Sequence, residues 1–381
     1  MTRAVPKHRQ PVVVGIHALP YSKDMGMTER RSGALAILGA LSDAGLTPAD
    51  VDGLVRYGWE KTTEMEMARN LGVPNLRVFG DVDFGGGAGP VVLGHACEAI
   101  ELDHADVVVA WRARNRASGG RPWAGQLLAD GQDQFERPQG LIRPSDGMAL
   151  HARYWMDRYG WTSEDFGLVA VTQREHARRN PMALMKQPMT IDDYLAARMI
   201  SDPLRLFDCC LETDGALAMV VTSAERAADL DIAPVYVTGY AMGSGPDPYG
   251  MTFFYGDELG VTPAKFVAPE LWRNAGLSPA DIDVCQLYDA FTPQIPISFQ
   301  ELGFCAEGDA PAYMRSGDAP LYNTSGGGLS EAYVHGFNIL VEGVRQIRGT
   351  STTQVDGARY CLATGGNVVP TGAVVFSKES W

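Results

Sequence analysis

Short apolar runs recur along the chain at residues 12–16, 51–57, 107–111, 217–222, 235–239, 284–288 and 373–377. They are rich in Val and show no strict alternation with polar residues. Runs of that length predict strands buried on both faces. Between them the period changes. Residues 146–159 and 163–179 carry helical patterns, and Phe337, Leu340, Val344 and Ile347 form an apolar stripe at spacings of three and four. That stripe predicts an amphipathic helix beginning near Ser330. Strands alternating with helices imply an α/β protein with mixed sheets.

The pattern also repeats itself. Ala44-Gly-Leu-Thr-Pro-Ala-Asp-Val-Asp52 returns as Ala275-Gly-Leu-Ser-Pro-Ala-Asp-Ile-Asp283, with seven of nine positions identical at an offset of 231. The same offset relates Leu71-Gly72 to Leu302-Gly303, and the triplet Gly85-Gly86-Gly87 returns 241 residues later as Gly326-Gly327-Gly328. Each nine-residue copy reads as a helix ended by a glycine, then a short turn with Thr47 or Ser278 as N-cap, proline at its first position and aspartate facing its positive end. A strand follows each time. Three matches in the same order imply a duplicated architecture, with halves at 1–231 and 232–381. Residues at about 112–210 have no counterpart in the second half and are rich in Arg, Met and aromatics. An insertion of that size is expected to form a lid or binding subdomain.

Composition narrows the partners. Of 381 residues, 45% are hydrophobic and 20% charged, ordinary proportions for a packed globular protein. Lys and Arg number 32 against 46 Asp and Glu, a formal net charge of −14. That excess of acid argues against nucleic acid and anionic membrane surfaces, because neutralising phosphates needs a surplus of basic side chains. The apolar run behind the basic first ten residues is shorter than a signal-peptide core or the ~20 residues of a membrane span. The six cysteines form no C-x-x-C pair, so reduced thiols in a cytoplasm are expected. Cys97, Cys209 and Cys210 read as small core residues.

Familiar catalytic signatures are mostly missing. There is no H-E-x-x-H, P-loop lysine or G-x-S-x-G, and the segment Gly85 to Pro90 does not fit the dinucleotide fingerprint. The seven histidines are scattered, which argues against a metal site in this chain.

The duplicated halves and their glycine-rich turns resemble the thiolase superfamily, in particular the sterol-carrier-protein-type thiolases and lipid-transfer proteins. Leu211-Glu-Thr-Asp-Gly-Ala-Leu-Ala-Met219 is similar to the segment closing the first half in that family. Leu287-Tyr288-Asp289-Ala290-Phe291-Thr292 resembles its H-D-x-F motif, and Asn323-Thr-Ser-Gly-Gly-Gly-Leu-Ser-Glu-Ala-Tyr333 resembles N-P-S-G-G-x-x-S-x-G-H. The resemblance implies a thiolase fold with two mixed five-stranded sheets and an inserted loop subdomain. It also exposes departures. The position of the nucleophilic cysteine falls at Gly86 or Gly87, and both catalytic histidines are replaced, by Tyr288 and Tyr333. Without the nucleophile no acyl-enzyme forms there. Cys361 lies near the last glycine-rich turn, where a second catalytic cysteine would be, and a decarboxylating or condensing acyltransferase using it is the enzymatic alternative.

Two tyrosines without a nucleophile resemble the steroid side-chain aldolases of the lipid-transfer group. The reaction implied is retro-aldol cleavage of a β-hydroxyacyl-CoA, for a steroid a 17-hydroxy side chain giving a 17-ketosteroid and propionyl-CoA or similar. It needs a base, stabilisation of the thioester enolate and an acid for the α-carbon. Tyr333, in the first turn of the helix expected from Ser330, would be the easier phenolate near that positive end, with Tyr288 as acid or oxyanion partner. Gly86, Gly87, Gly327 and Gly328 would line a hole of backbone N–H groups, and Asp289, Asn323 and His335 would position substrate. Coenzyme A is the implied handle, with no covalently bound cofactor and no metal in this chain. The run Arg112, Arg114, Arg116 and Arg121 and a second group with Arg174, Arg178, Arg179 and Lys186 are candidate phosphate contacts. By resemblance the chain is a homodimer. It would form a heterotetramer with a small OB-fold, zinc-ribbon protein of the domain of unknown function 35 type. A non-catalytic lipid or acyl-CoA carrier or scaffold is the alternative from another class.

Overall fold

The computed structural model describes residues 5–83, 85–120, 131–246, 259–367 and 370–380. Its strands are β1 (Pro11–Ala18), β2 (Gly53–Tyr57), β3 (Val78–Val82), β4 (Val107–Asn115), β5 (Met199–Ser201), β6 (Leu204–Arg205), β7 (Asp214–Ser223), β8 (Val235–Gly243), β9 (Val284–Gln286), β10 (Leu321–Tyr322), β11 (Tyr360–Thr364) and β12 (Thr371–Ser377). Strands β5 and β6 form a small hairpin, and the others form one mixed sheet in the order β10-β9-β11-β12-β8-β1-β7-β4-β2-β3.

That order is symmetric about its centre. Outward from β1, the pairings β1·β7 and β7·β4 are antiparallel, then β4·β2 and β2·β3 are parallel. Outward from β8, β8·β12 and β12·β11 are antiparallel, then β11·β9 and β9·β10 are parallel. The two five-strand arrays do not stand apart as separate sheets. Their edge strands pair at Val12 with Tyr236 and Val13 with Val235, which gives otherwise unpaired edge groups partners.

The repeat seen in the sequence has a physical function. The Asp50 carboxylate accepts the Thr47 N–H at 2.9 Å, and Asp281 does the same for Ser278 at 2.8 Å. The last residue of each copy then ties two chain segments together. Asp52 accepts the N–H groups of Asp106 and Val107, and Asp283 those of Arg359 and Tyr360. Each aspartate thus fixes the start of the parallel neighbour, β4 or β11.

Helices cover both faces, as a doubly buried sheet requires. Glu29–Asp43 packs on β1, β4 and β7, and Pro263–Ala275 packs on β8 and β12. On the opposite face Ala88–Glu101 and Phe337–Arg348 lie against the strands and touch each other. The inserted segment folds as helices Pro144–Tyr159, Ser163–Arg179 and Ile191–Ala196 and the β5–β6 hairpin.

Two local expectations are corrected. The run at 284–288 leaves the sheet after Gln286, because the Asn323 side chain takes over as hydrogen-bonding neighbour. Its oxygen accepts the Leu287 N–H at 2.7 Å, and its amide donates to the Leu287 carbonyl at 2.8 Å. The last amphipathic helix begins at Phe337, not near Ser330. Gly327–Glu331 is a single π-helical turn, and positive φ angles at Gly326, Gly327, His335 and Gly336 interrupt the path between. Tyr333 therefore lies in an irregular link ahead of the helix. No described helix is long and apolar enough to cross a membrane.

Candidate active site

Tyr288 follows the carboxyl end of β9, where α/β proteins place their sites. Its backbone N–H donates to the Thr364 hydroxyl at 3.0 Å. Tyr333 is anchored through its N–H to the Thr213 hydroxyl at 3.2 Å. Both rings are buried, and their hydroxyls are hydrogen-bonded to each other. The two phenols, 45 residues apart in sequence, form one unit.

Glycines make room for it. A Cβ on Gly86 would stand 1.9 Å from the Tyr288 hydroxyl oxygen. On Gly336 it would stand 2.7 Å from the same ring, and on Gly366 3.0 Å. The phenol of Tyr288 thus occupies the space into which a side chain at residue 86 would project. A nucleophile there and this tyrosine are mutually exclusive.

The pair faces a cavity of about 540 Å³. Gly86, Arg116, Arg174, Tyr288, Tyr333 and His335 line it, so six of the candidate site residues singled out in the sequence meet there. The inserted segment supplies much of the opposite wall, including Arg143, Arg174, Met185, Phe207, Cys209 and Cys210. Its end is stitched over the site, since Cys210 N–H donates to the Ala290 carbonyl at 2.9 Å and Leu211 N–H to that of Gly328 at 3.0 Å. Helix Ser163–Arg179 grips the glycine turn from behind, with Arg174 Nε donating to the Ser330 hydroxyl at 2.9 Å.

Other expected residues stand elsewhere. Asp289 and Asn323 are buried outside the cavity lining and act as braces. Asp289 accepts the Gly328 N–H on both oxygens, at 2.9 and 2.8 Å. Gly87, Gly327 and Gly328 are likewise absent from the lining, so the Gly328 N–H expected to face substrate is spent on Asp289. Burial lifts the Asp289 carboxyl to about 7, against the pull of those hydrogen bonds. Cys361 is buried in the core on β11, and burial raises its thiol far above the ordinary value. It is not at the site.

The arginines separate into groups. Arg112 is fully buried and pairs with Glu60 at 2.7 Å. Arg114 pairs with Glu29 at 3.5 Å, and Arg178 and Arg179 both pair with Glu175 on the outer side of their helix. None of these four lines the cavity, and Arg121 lies outside the described residues. The cations that do line it are Lys23, Arg116, Arg143, Arg174 and Arg198, with Glu212 the acid. Arg143 pairs with Asp146 at 2.7 Å and Arg116 with Glu212 at 2.9 Å. Arg174 is 5% exposed and has no carboxylate partner among the described residues, and burial lowers its pKa. Cys209 and Cys210, read as core residues, are half-buried wall residues whose thiols burial holds protonated. Apart from Arg174, named in the sequence as a phosphate contact, the aromatic and cationic bias of the insertion was the pointer towards this wall.

Burial pushes both phenols up. For Tyr288 the neighbouring Tyr333 adds to the rise. For Tyr333, Cys210 adds to it while Arg116, the bond from Tyr288 and Arg112 pull it back. His335 sits beside the pair, 5.2 Å from the Tyr333 ring, and burial with Arg112, Arg116 and Arg114 around it drives its pKa well down. It is a neutral imidazole. Among the described residues no group of three His, Cys, Asp or Glu could hold a metal ion.

The fold and the site together define a class. Human mitochondrial 3-ketoacyl-CoA thiolase superposes with a TM-score of 0.71 over 98% of this chain and all of that one at 15% identity, a likeness of fold alone. Residues 251–378 match the family described as thiolase C-terminal domain-like. The 17-hydroxy-3-oxo-4-pregnene-20-carboxyl-CoA lyase of Mycobacterium tuberculosis is 44% identical over 96% of this chain and 98% of its own. The steroid side-chain-cleaving aldolase of Thermomonospora curvata is 41% identical over 96% and 97%. The solved Ltp2-ChsH2(DUF35) aldolase superposes with a TM-score of 0.93 at 40% identity, over 98% of this chain and 99% of that one. The chain belongs to the thiolase superfamily, in its group of steroid side-chain-cleaving aldolases, and is a carbon–carbon lyase.

Proposed function

We propose that the chain cleaves a β-hydroxyacyl-CoA carried on a steroid side chain into a ketone and a shorter acyl-CoA, with the tyrosine pair as its acid and base. The observation that carries this reading is the hydrogen bond between the Tyr288 and Tyr333 hydroxyls at the floor of the cavity, in the space a residue-86 nucleophile would need. In the working state the pair lacks one proton. Tyr333, the phenol with guanidiniums near it, takes the proton of the β-hydroxyl. The Cα–Cβ bond breaks, its electrons pass into the thioester enolate, and Tyr288 protonates the α-carbon. A proton then crosses the tyrosine–tyrosine bond from Tyr333 to Tyr288 and restores the starting state. Tyr333 is favoured as base for its arginines, not for a helix end, since the helix starts further on.

The cavity chemistry supports the substrate class. Ile200, Leu206, Phe207, Phe291 and Leu329 offer an apolar wall to a ring system. Lys23, Arg174 and Arg198 give an acidic protein a locally cationic wall suited to coenzyme A phosphates. The solved Ltp2-ChsH2(DUF35) aldolase joins a DUF35 protein to its aldolase chain, which supports an OB-fold, zinc-ribbon partner here. Strand β3, at the free edge of the sheet with Phe79 60% exposed, supports a homodimer.

Product analysis tests the proposal. The purified chain, alone and with its partner, should convert a steroid β-hydroxyacyl-CoA into ketone and short acyl-CoA, and Tyr288→Phe and Tyr333→Phe should each abolish the conversion. Cleavage by the double variant at the parental rate would sink the mechanism. Binding of the acyl-CoA without any cleavage would favour a carrier.

A further inference from the structure

Beside Tyr333 two ion pairs flank the neutral His335. Glu60 holds Arg112, Arg112 reaches Nδ1 of His335, Nε2 of His335 lies 3.3 Å from Arg116, and Arg116 is held by Glu212. A guanidinium can only donate, and a neutral imidazole has a single acceptor nitrogen. The close contact from Arg112 makes Nδ1 that acceptor. The proton of His335 is then on Nε2, on the side of Arg116, and this nitrogen cannot accept from Arg116. The guanidinium of Arg116 is therefore held without satisfying His335, 9% exposed, in the cavity wall and 5.2 Å above the centre of the Tyr333 ring. The other titratable groups facing Tyr333 are Tyr288, Cys210, Arg112 and Tyr57.

We propose that Arg116 is an electrostatic residue of the lyase reaction, its guanidinium stabilising the anionic charge on the tyrosine pair and, as the carbon–carbon bond breaks, on the thioester enolate. This rests on the tyrosine reading above. A cation over the face of a phenol is attracted to the ring and more strongly to a phenolate. An opposite charge at this range lowers an acid's pKa by about 1–3 units. Glu212 opposes the effect, since it neutralises part of the arginine's field. Arg112, in contact with Nδ1, helps keep His335 neutral.

The two neighbours give the test opposite signs. Two measurements are made on the full chain: the pH dependence of kcat/KM with a β-hydroxyacyl-CoA, and a titration of tyrosinate absorbance that needs no turnover. Arg116→Gln should move the acid limb of the rate profile, and the tyrosinate signal that Tyr333→Phe deletes, upward by about 1–3 pH units. It should lower kcat at neutral pH by about 10–1,000-fold. Arg116→Lys should recover most of both. Glu212→Gln should move limb and signal downward. If Arg116→Gln raises only KM, or lowers kcat without moving either pH dependence, the residue binds or braces and the proposal fails. Shifts of the same sign in Arg116→Gln and Glu212→Gln would indicate general disruption and overturn it as well. A tyrosinate signal that moves as expected while Tyr333→Phe remains active would keep the electrostatics and refute the tyrosine mechanism instead.

Discussion

Replacing Gly86 with alanine should inactivate the enzyme while leaving its fold in place. The added methyl would stand 1.9 Å from the Tyr288 hydroxyl oxygen and 2.2 Å from Cζ, where ordinary contact begins at 3.4 Å. The ring must retreat by about 1.5 Å, and it has little room to do so, because Gly336 and Gly366 flank it closely enough that a Cβ on either would stand 2.7 or 3.0 Å from it. A retreat of that size breaks the hydrogen bond between the two phenols. Misplacing a reacting group by ~1 Å costs ~100-fold in rate, and loss of an acid/base partner costs about 100- to 10,000-fold. The expected kcat is thus at least about 100-fold below the parent. Overpacking at a single methyl should cost about 1–3 kcal/mol of stability. Single-turnover formation of ketone from the β-hydroxyacyl-CoA measures the first quantity, and chemical unfolding the second. A Gly86→Ala enzyme as active as the parent would refute the argument that Tyr288 fills this space and works from it.

Further outcomes follow from the same geometry. Supplied with the short acyl-CoA alone in heavy water, the enzyme should place deuterium on the α-carbon, since the step that protonates the enolate is reversible. Absence of exchange would count against an acid poised at that carbon, and Tyr288→Phe should abolish it. Cys361→Ala should leave cleavage unchanged and cost about 1 kcal/mol of stability as a small core truncation; a covalent acyl thioester at Cys361 would contradict its placement in β11. Arg174→Gln should raise KM for the acyl-CoA with kcat nearly unchanged, because its guanidinium stands in the wall with no carboxylate partner among the described residues. Asp289 titrates near 7 when folded against 3.8 for the free side chain. Its contribution to stability is therefore complete below pH 3.8 and is lost as the pH rises through about 7. Asp289→Asn should be less stable than the parent at low pH, and the gap in Tm should narrow towards pH 8; a gap that is constant or widens would refute the assignment.

The sequence by itself determined the mixed α/β architecture and singled out the two tyrosines proposed here to react. The nine-residue repeat ending at Asp52 and Asp283 is a local device. Its cap and strand tie are made by neighbours in sequence and by one adjacent strand start, so the pattern is legible without tertiary information. Most of the buried strands declare themselves as valine-rich runs, whereas β3, β10 and β11 do not. Strand β10 has two residues and β3 is an edge with alternating exposure, so neither carries a continuous apolar signal. The substitutions at residues 86, 288 and 333 were visible because each stands inside a motif.

Only the tertiary structure decided how those residues work. Asn323, 36 positions from Leu287, ends β9 early and sets Tyr288 free of the sheet. Positive φ angles, which no periodicity reveals, delay the last helix and take Tyr333 away from its positive end. Arginines that look alike in a run meet different partners along β4 and beyond it. Arg112 is consumed by Glu60, while Arg116 reaches the cavity. Cys209 and Cys210, apolar by composition, became wall because the returning insertion is hydrogen-bonded across the site. Sequence records which side chains exist and how short segments fold. Whether a charge is spent on a partner or turned towards substrate depends on contacts across hundreds of residues, and those belong to the fold.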